Sequence, residues 1–111
     1  LTSVTFFGNI EEWLWSWTLE ILGTSKINAF MKAVPDSKVS MSRWLLVTKA
    51  TNWSNPMEVK STFNSVDITS SGFVFNVGGN SYRILAKLSF TEKLVTVIKV
   101  GTHAEYSRWT L

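Results

Sequence analysis

The spacing of apolar residues changes near Asp67, from a period close to 3.6 to a period of two. Upstream of that point, Ile27, Phe30 and Met31 recur at i, i+3, i+4, which predicts a helix to Ala33 with Thr24 or Ser25 as its N-cap. Pro35 and Asp36 interrupt it and restart a second helix. Val39, Arg43, Trp44, Leu46 and Val47 carry that helix to about Ala50. Asn55-Pro56 opens a third, shorter helix, with proline at its first position and Val59 and Phe63 four apart. Before all of these, residues 19–22 form a short strand stopped by Gly23.

Downstream the pattern is that of strands. Residues 73–77 read as one, Gly78-Gly79-Asn80 as a hairpin turn, and residues 82–90 as the return strand. In that strand Tyr82, Ile84, Ala86 and Leu88 share one face, and Arg83, Leu85 and Lys87 the other. Thr91-Glu92-Lys93 turns the chain into a third strand over residues 94–100, which Gly101 ends, and residues 102–111 close the chain. No internal repeat or linker interrupts this order. The expected fold is α+β in two layers, with N-terminal helices packed on a small antiparallel sheet.

Residues 6–23 hold Trp13, Trp15 and Trp17 among apolar neighbours, broken by Glu11, Glu12 and Glu20. A membrane span tolerates few such charges, and a signal peptide needs a basic leader and a small-residue cleavage site. The stretch fits neither pattern. Its alternating tryptophans resemble one face of a strand or an irregular apolar flap. Residues 1–18 are therefore expected to be an extension, with residues 19–111 as the domain proper.

Composition narrows the class further. The 111 residues are 45% hydrophobic and 17% charged, enough for one small core and too ordered in type for a disordered or low-complexity chain. The absence of cysteine removes disulfide scaffolds, zinc fingers, iron–sulfur sites and thiol catalysis. A single histidine rules out any multi-histidine metal site. Charge is uneven: residues 1–20 carry −3 and residues 21–111 carry +6, within a net charge of +3. A domain that basic suits a polyanion such as nucleic acid, or an acidic protein.

The residues able to do chemistry converge on one edge of the expected sheet. Sequential antiparallel strands are usually neighbours, so Arg83 at the start of one strand and His103 past the end of the next share an edge. Glu105 and Tyr106 follow at once. Arginine matches phosphate oxygens in a bidentate fork, and histidine exchanges protons near neutral pH. Such a set suits cleavage of a phosphodiester by an RNA 2′-OH without a metal.

The run Phe73-Val74-Phe75-Asn76-Val77-Gly78-Gly79-Asn80-Ser81-Tyr82-Arg83, followed by Gly101-Thr102-His103-Ala104-Glu105-Tyr106, resembles the HigB toxins of bacterial type II toxin–antitoxin systems. These belong to the RelE-like ribosome-dependent mRNA endonucleases. The similarity extends upstream through residues 50–56, Val59-Lys60, Phe63, Phe30 and the Pro35-Asp36 break. It spans residues 19–111 and leaves residues 1–18 without a counterpart. Two positions depart from the family pattern: Ser107 follows Tyr106 where the family continues with aspartate, and Val34 stands where histidine is frequent before the proline.

The resemblance implies a small basic cytoplasmic protein that cuts mRNA in the ribosomal A site, needs no cofactor or metal, and is restrained by a HigA-type helix-turn-helix antitoxin. No membrane is involved. Arg83 is then the phosphate-stabilising group, against a plain solvated strand arginine. His103 is the acid/base group, against a structural histidine capping the strand end. Tyr106 stacks on a base or orients the 2′-OH, or is a phenol half-buried under the last helix. Glu105 orients His103 or is a first-turn carboxylate. Lys60, Lys87 and Asn80 are the candidate RNA contacts, although Asn80 also suits closure of the hairpin and Lys60 a solvated helix face. Gly78-Gly79-Asn80 is not a phosphate loop, since no Lys-Ser/Thr follows and strands flank it. Asn52-Trp53-Ser54 fits a glycosylation pattern, which is without meaning in a cytoplasmic bacterial protein. Competing readings are a catalytically weakened relative that binds RNA or ribosome without cutting, and a protein-interaction domain whose basic face meets an acidic partner.

Overall fold

A computed structural model describes residues 19–111. The extension expected at residues 1–18, with its three tryptophans, lies outside the described residues.

Strand β1 (Glu20–Leu22) ends at Gly23, whose φ of +81° turns the chain into helix α1 (Thr24–Ala33). A Cβ at Gly23 would stand 2.7 Å from the Val97 carbonyl oxygen, so only glycine fits between helix and sheet. Gly23 is thus the N-cap, in place of the expected Thr24 or Ser25, and no side chain caps this helix. A 3-10 turn over Pro35–Ser37 buries Ser37, whose hydroxyl donates to the Val34 carbonyl at 2.6 Å. Helix α2 (Lys38–Lys49) follows and buries Met41, Trp44 and Thr48, leaving Val39 and Leu46 in solvent. Helix α3 (Pro56–Thr62) starts as its sequence suggests: Asn55 Oδ1 accepts the Glu58 N–H at 3.0 Å, and Glu58 Oε1 accepts the Ser54 N–H at 2.7 Å.

The strand half contains β2 (Asp67–Thr69), β3 (Gly72–Val77), β4 (Tyr82–Ser89) and β5 (Leu94–Thr102), and a short helix α4 (His103–Tyr106). The order across the five-stranded sheet is β1-β5-β4-β3-β2. All pairings are antiparallel except β1 with β5, which is parallel. β2 is an additional edge strand that the apolar pattern did not announce. Gly101 does not end β5 but is paired with Arg83 inside it. The Gly78-Gly79 turn is confirmed, with φ of +65° and +66°.

The three longer helices cover one face. Between them and the sheet lie Ile27, Met41, Trp44, Trp53, Val59, Phe73, Phe75, Val77, Ile84, Ala86, Val95 and Val97. Its centre is aromatic: Phe75 meets Trp44 edge-on at 5.2 Å, Phe63 edge-on at 5.5 Å and Trp53 in a stack at 6.2 Å. One irregularity matters for the site. Leu85 pairs with Lys99 and Ala86 with Val97, so Ile98 is an extra, bulged residue. The bulge shifts the alternation: Val95, Val97 and Val100 face the helices, while Lys99 and Gly101 turn to the Arg83 face.

Candidate active site

Arg83 is the second residue of β4, opposite Asn76 of β3 and Gly101 of β5, on the face away from the helices. It is only 5% exposed. Both terminal nitrogens of its guanidinium are engaged. Nη1 donates to the carbonyls of Asn80 and Tyr82 at 3.2 and 3.0 Å. Nη2 donates to Asn80 Oδ1 at 2.6 Å and meets His103 Nδ1 at 2.9 Å. The Tyr106 ring lies over it, 5.2 Å from Cζ to the ring centroid.

Among the described residues Arg83 makes no ion pair to a carboxylate; its partners are two carbonyls, an amide oxygen, an imidazole nitrogen and a π face. A buried charge stabilised by dipoles alone is unusual, because desolvation costs several kcal/mol per ion. The guanidinium thus keeps its charge without a directly bonded carboxylate, and an anion brought to this edge meets a cation. The contact with His103 also fixes a tautomer. Arginine has only donors, so Nδ1 must accept, and in the neutral ring the proton sits on Nε2.

The backbone around the cluster explains why these residues meet. The His103 N–H donates to the Ser81 carbonyl at 2.9 Å, tying α4 to the β3–β4 hairpin. Thr102 Oγ1 accepts the Glu105 N–H at 3.1 Å, and Glu105 Oε1 accepts the Thr102 N–H at 2.8 Å, a reciprocal capping box. A Cβ at Gly101 would stand 2.9 Å from the Trp109 ring and 3.3 Å from Glu105 Cβ. The glycine therefore lets the C-terminal turn and Trp109 lie down on the strand.

Of the residues singled out in the sequence, Arg83, His103, Tyr106 and Asn80 come together. Asn80 both closes the hairpin and grips the guanidinium. Glu105 is engaged in the capping box, so it holds α4 rather than reaching the imidazole. Ser107, at the position of the family aspartate, donates its hydroxyl to the Ala104 carbonyl at 2.6 Å. Lys87 is exposed on the Arg83 face, four residues on and so roughly 13 Å along the strand. Lys60 is exposed on α3, in the helical layer on the other side of the sheet. Two residues had gone unnoticed: Trp109 meets Tyr106 edge-on at 5.5 Å, and Lys99 Nζ lies 5.7 Å over the Trp109 ring. The Tyr-x-x-Trp spacing was a visible signal, whereas the place of Lys99 depends on the bulge. Among the described residues no three His, Asp or Glu side chains gather as a metal site would require, and no helix is long and apolar enough to cross a membrane.

Fold and cluster define a class: a small α+β protein that presents a guanidinium, an imidazole and a phenol at one edge of its sheet, a set suited to phosphate esters. The model of a bacterial family described as HigB toxin, the RelE-like toxic component of a toxin–antitoxin system, matches residues 37–109. The chain belongs to that family. Its place in a two-component system implies an antitoxin as partner. The mRNA interferase HigB of Escherichia coli O6:H1 is 26% identical over 95 residues, 83% of this chain and 92% of that protein. The mRNA interferase toxin HigB of Escherichia coli strain K12 is 36% identical over 58 residues, 50% of this chain and 56% of that protein.

Proposed function

We propose that this protein cuts mRNA in the ribosomal A site, in the cytoplasm, by attack of an RNA 2′-OH on the adjacent phosphorus. The reading rests chiefly on one observation: a buried arginine with no carboxylate partner among the described residues, in hydrogen-bond contact with the sole histidine of the chain. The 2′-oxygen bonds to phosphorus and the P–O5′ bond breaks, leaving a 2′,3′-cyclic phosphate and a 5′-hydroxyl. Arg83 stabilises the negative charge of the phosphorane-like transition state. A phosphate at Nη2 competes with His103 Nδ1 for the same donor. Its arrival frees Nδ1 to accept the proton of the attacking 2′-OH, and the departing 5′-oxygen takes its proton from water. Substrate binding thereby switches the imidazole from acceptor of an arginine hydrogen bond to base.

Tyr106, with Trp109 against it, offers a face on which a base can stack. Asn80 positions Arg83, Lys87 contacts the RNA backbone further along the sheet, and Lys60 contacts it from the helical side. A HigA-type helix-turn-helix antitoxin restrains the toxin, meeting the basic domain with an acidic or apolar segment. A second reading has support in the engagement of all four terminal N–H groups of Arg83. If they are never released, the protein binds RNA or ribosome without cutting.

Induced expression separates the two. Cutting predicts arrested translation and mRNAs broken within the reading frame, with naked RNA cut poorly. Arg83→Ala should lower cleavage roughly 10²–10³-fold, the usual effect of deleting one charge-stabilising donor. Unchanged cleavage by a folded Arg83→Ala protein overturns the assignment, and persistent toxicity beside a soluble co-expressed antitoxin overturns the partner.

A further inference from the structure

Beside the Gly78-Gly79 turn lies a cavity of about 290 Å³. It is lined by Ser40, Arg43 and Trp44 of α2, by Phe63, and by the end of β3 with the two glycines. We propose that this cavity receives a second nucleotide of the RNA strand, its base against the half-buried Phe63 and its phosphate at Arg43. The proposal rests on the mRNA-cutting reading and extends it from the scissile phosphate to a neighbouring subsite.

Four observations support it. The volume is at the small end of ligand pockets, suited to one nucleotide rather than a folded peptide. The lining combines a ring with a cation: Phe63 is half-buried, with Trp44 stacked behind it at 6.4 Å and 23° between planes, and Arg43 is exposed and makes no hydrogen bond or ion pair to another described residue. This is the aromatic-plus-cation pairing that binds single-stranded nucleic acid without strict sequence readout. Trp44 is 2% exposed, yet its indole N–H has no hydrogen-bond partner. A buried unpaired donor is rare in a folded protein, and nucleobases carry ring nitrogens and carbonyl oxygens able to accept from it. Finally, the Cβ position of Gly79 has nothing within 4 Å, so the backbone there is open to close approach, whereas that of Gly78 is closed by Ser40 Oγ at 3.0 Å.

The cavity and the cluster share one hairpin. Asn76, on the cavity wall, is directly opposite Arg83, and Asn80, which follows Gly79, grips the guanidinium. Arg43 on the cavity wall and Arg83 opposite Asn76 thus both neighbour this hairpin. The amide of Asn76 donates to the Ser65 carbonyl at 3.2 Å and so belongs to the wall, not to the recognition set.

Full-length Arg83→Ala protein, labelled with ¹⁵N, is titrated with the four nucleoside 5′-monophosphates and with a single-stranded RNA hexamer. The Trp44 indole resonance is assigned through Trp44→Phe. Saturable shifts of the Trp44 indole N–H and the Gly79 amide are expected, with binding weakened roughly tenfold by adding Arg43→Ala, as for loss of one charge-assisted contact. In a ribosome cleavage assay, Arg43→Ala alone should redistribute cutting among sites and raise KM more than it lowers kcat. Absence of shifts at millimolar nucleotide overturns the subsite. So does a uniform loss of cutting with site preference intact, which assigns Arg43 to ribosomal RNA, or a Trp44 shift produced by the antitoxin and not by nucleotide. Failure of the wild-type protein to cut any mRNA removes the enzymatic reading instead, and the titration still decides whether the cavity binds nucleotides.

Discussion

On the helix-covered face of the sheet, Phe73, Phe75, Val77, Ile84, Ala86, Val95 and Val97 meet apolar residues of the helices. On the other face of the same strands, Val74 and Leu85 are equally buried, but Arg83 is buried beside them. The helical face gains stability through apolar area and ring contacts, which are non-directional and tolerate small shifts. The Arg83 face depends on directed contacts to named atoms, each lost if its partner moves by about an ångström. Both faces thus bury apolar residues while the chemistry lies on the Arg83 face alone, and substitutions should separate the two roles.

The largest effect is expected from Phe75→Ala, which opens the aromatic centre. It should cost about 3–5 kcal/mol and lower Tm by roughly 4–8 °C for each kcal/mol, as read by thermal denaturation. Arg83→Ala tests the converse. Its activity should collapse while Tm falls less than for Phe75→Ala, because removal of a buried cation partly offsets the hydrogen bonds lost to Asn80 and Tyr82. A large fall in Tm would show that Arg83 serves the fold, and the division between faces would fail. Gly101→Ala should be intermediate, at about 1–3 kcal/mol for overpacking, by driving Trp109 and Glu105 off the strand. Cleavage should fall with it, since α4 carries His103 and Tyr106. The smallest effect is assigned to Thr102→Ala, which breaks the capping box for about 1 kcal/mol. Here activity should drop out of proportion to stability, measurable as lowered cleavage with a shift of only a few degrees in Tm.

Much of this molecule could be read from local pattern, because caps, turns and single-strand alternation depend on residues a few positions apart. Asn55-Pro56 starts α3, the paired glycines make the hairpin, and β4 keeps Ile84 and Ala86 on one face with Arg83 and Leu85 on the other. The neighbourhood of Arg83, His103 and Tyr106 was likewise visible, since consecutive antiparallel strands bring their ends together. What tertiary structure alone decided is of longer range. The parallel pairing of β1 with β5 joins segments far apart in the chain and leaves no local trace. Helix α2 has apolar residues all round, so only docking selected Met41 and Trp44 for the core over Val39 and Leu46. Simple alternation would have put Lys99 and Gly101 with Val95 and Val97, and the bulge at Ile98 sends them to the Arg83 face. The same holds for the chemistry: that Asn80 would grip Arg83, and that Glu105 would cap α4 rather than face His103, is a matter of ångströms, set when hairpin, strand and C-terminal turn pack together.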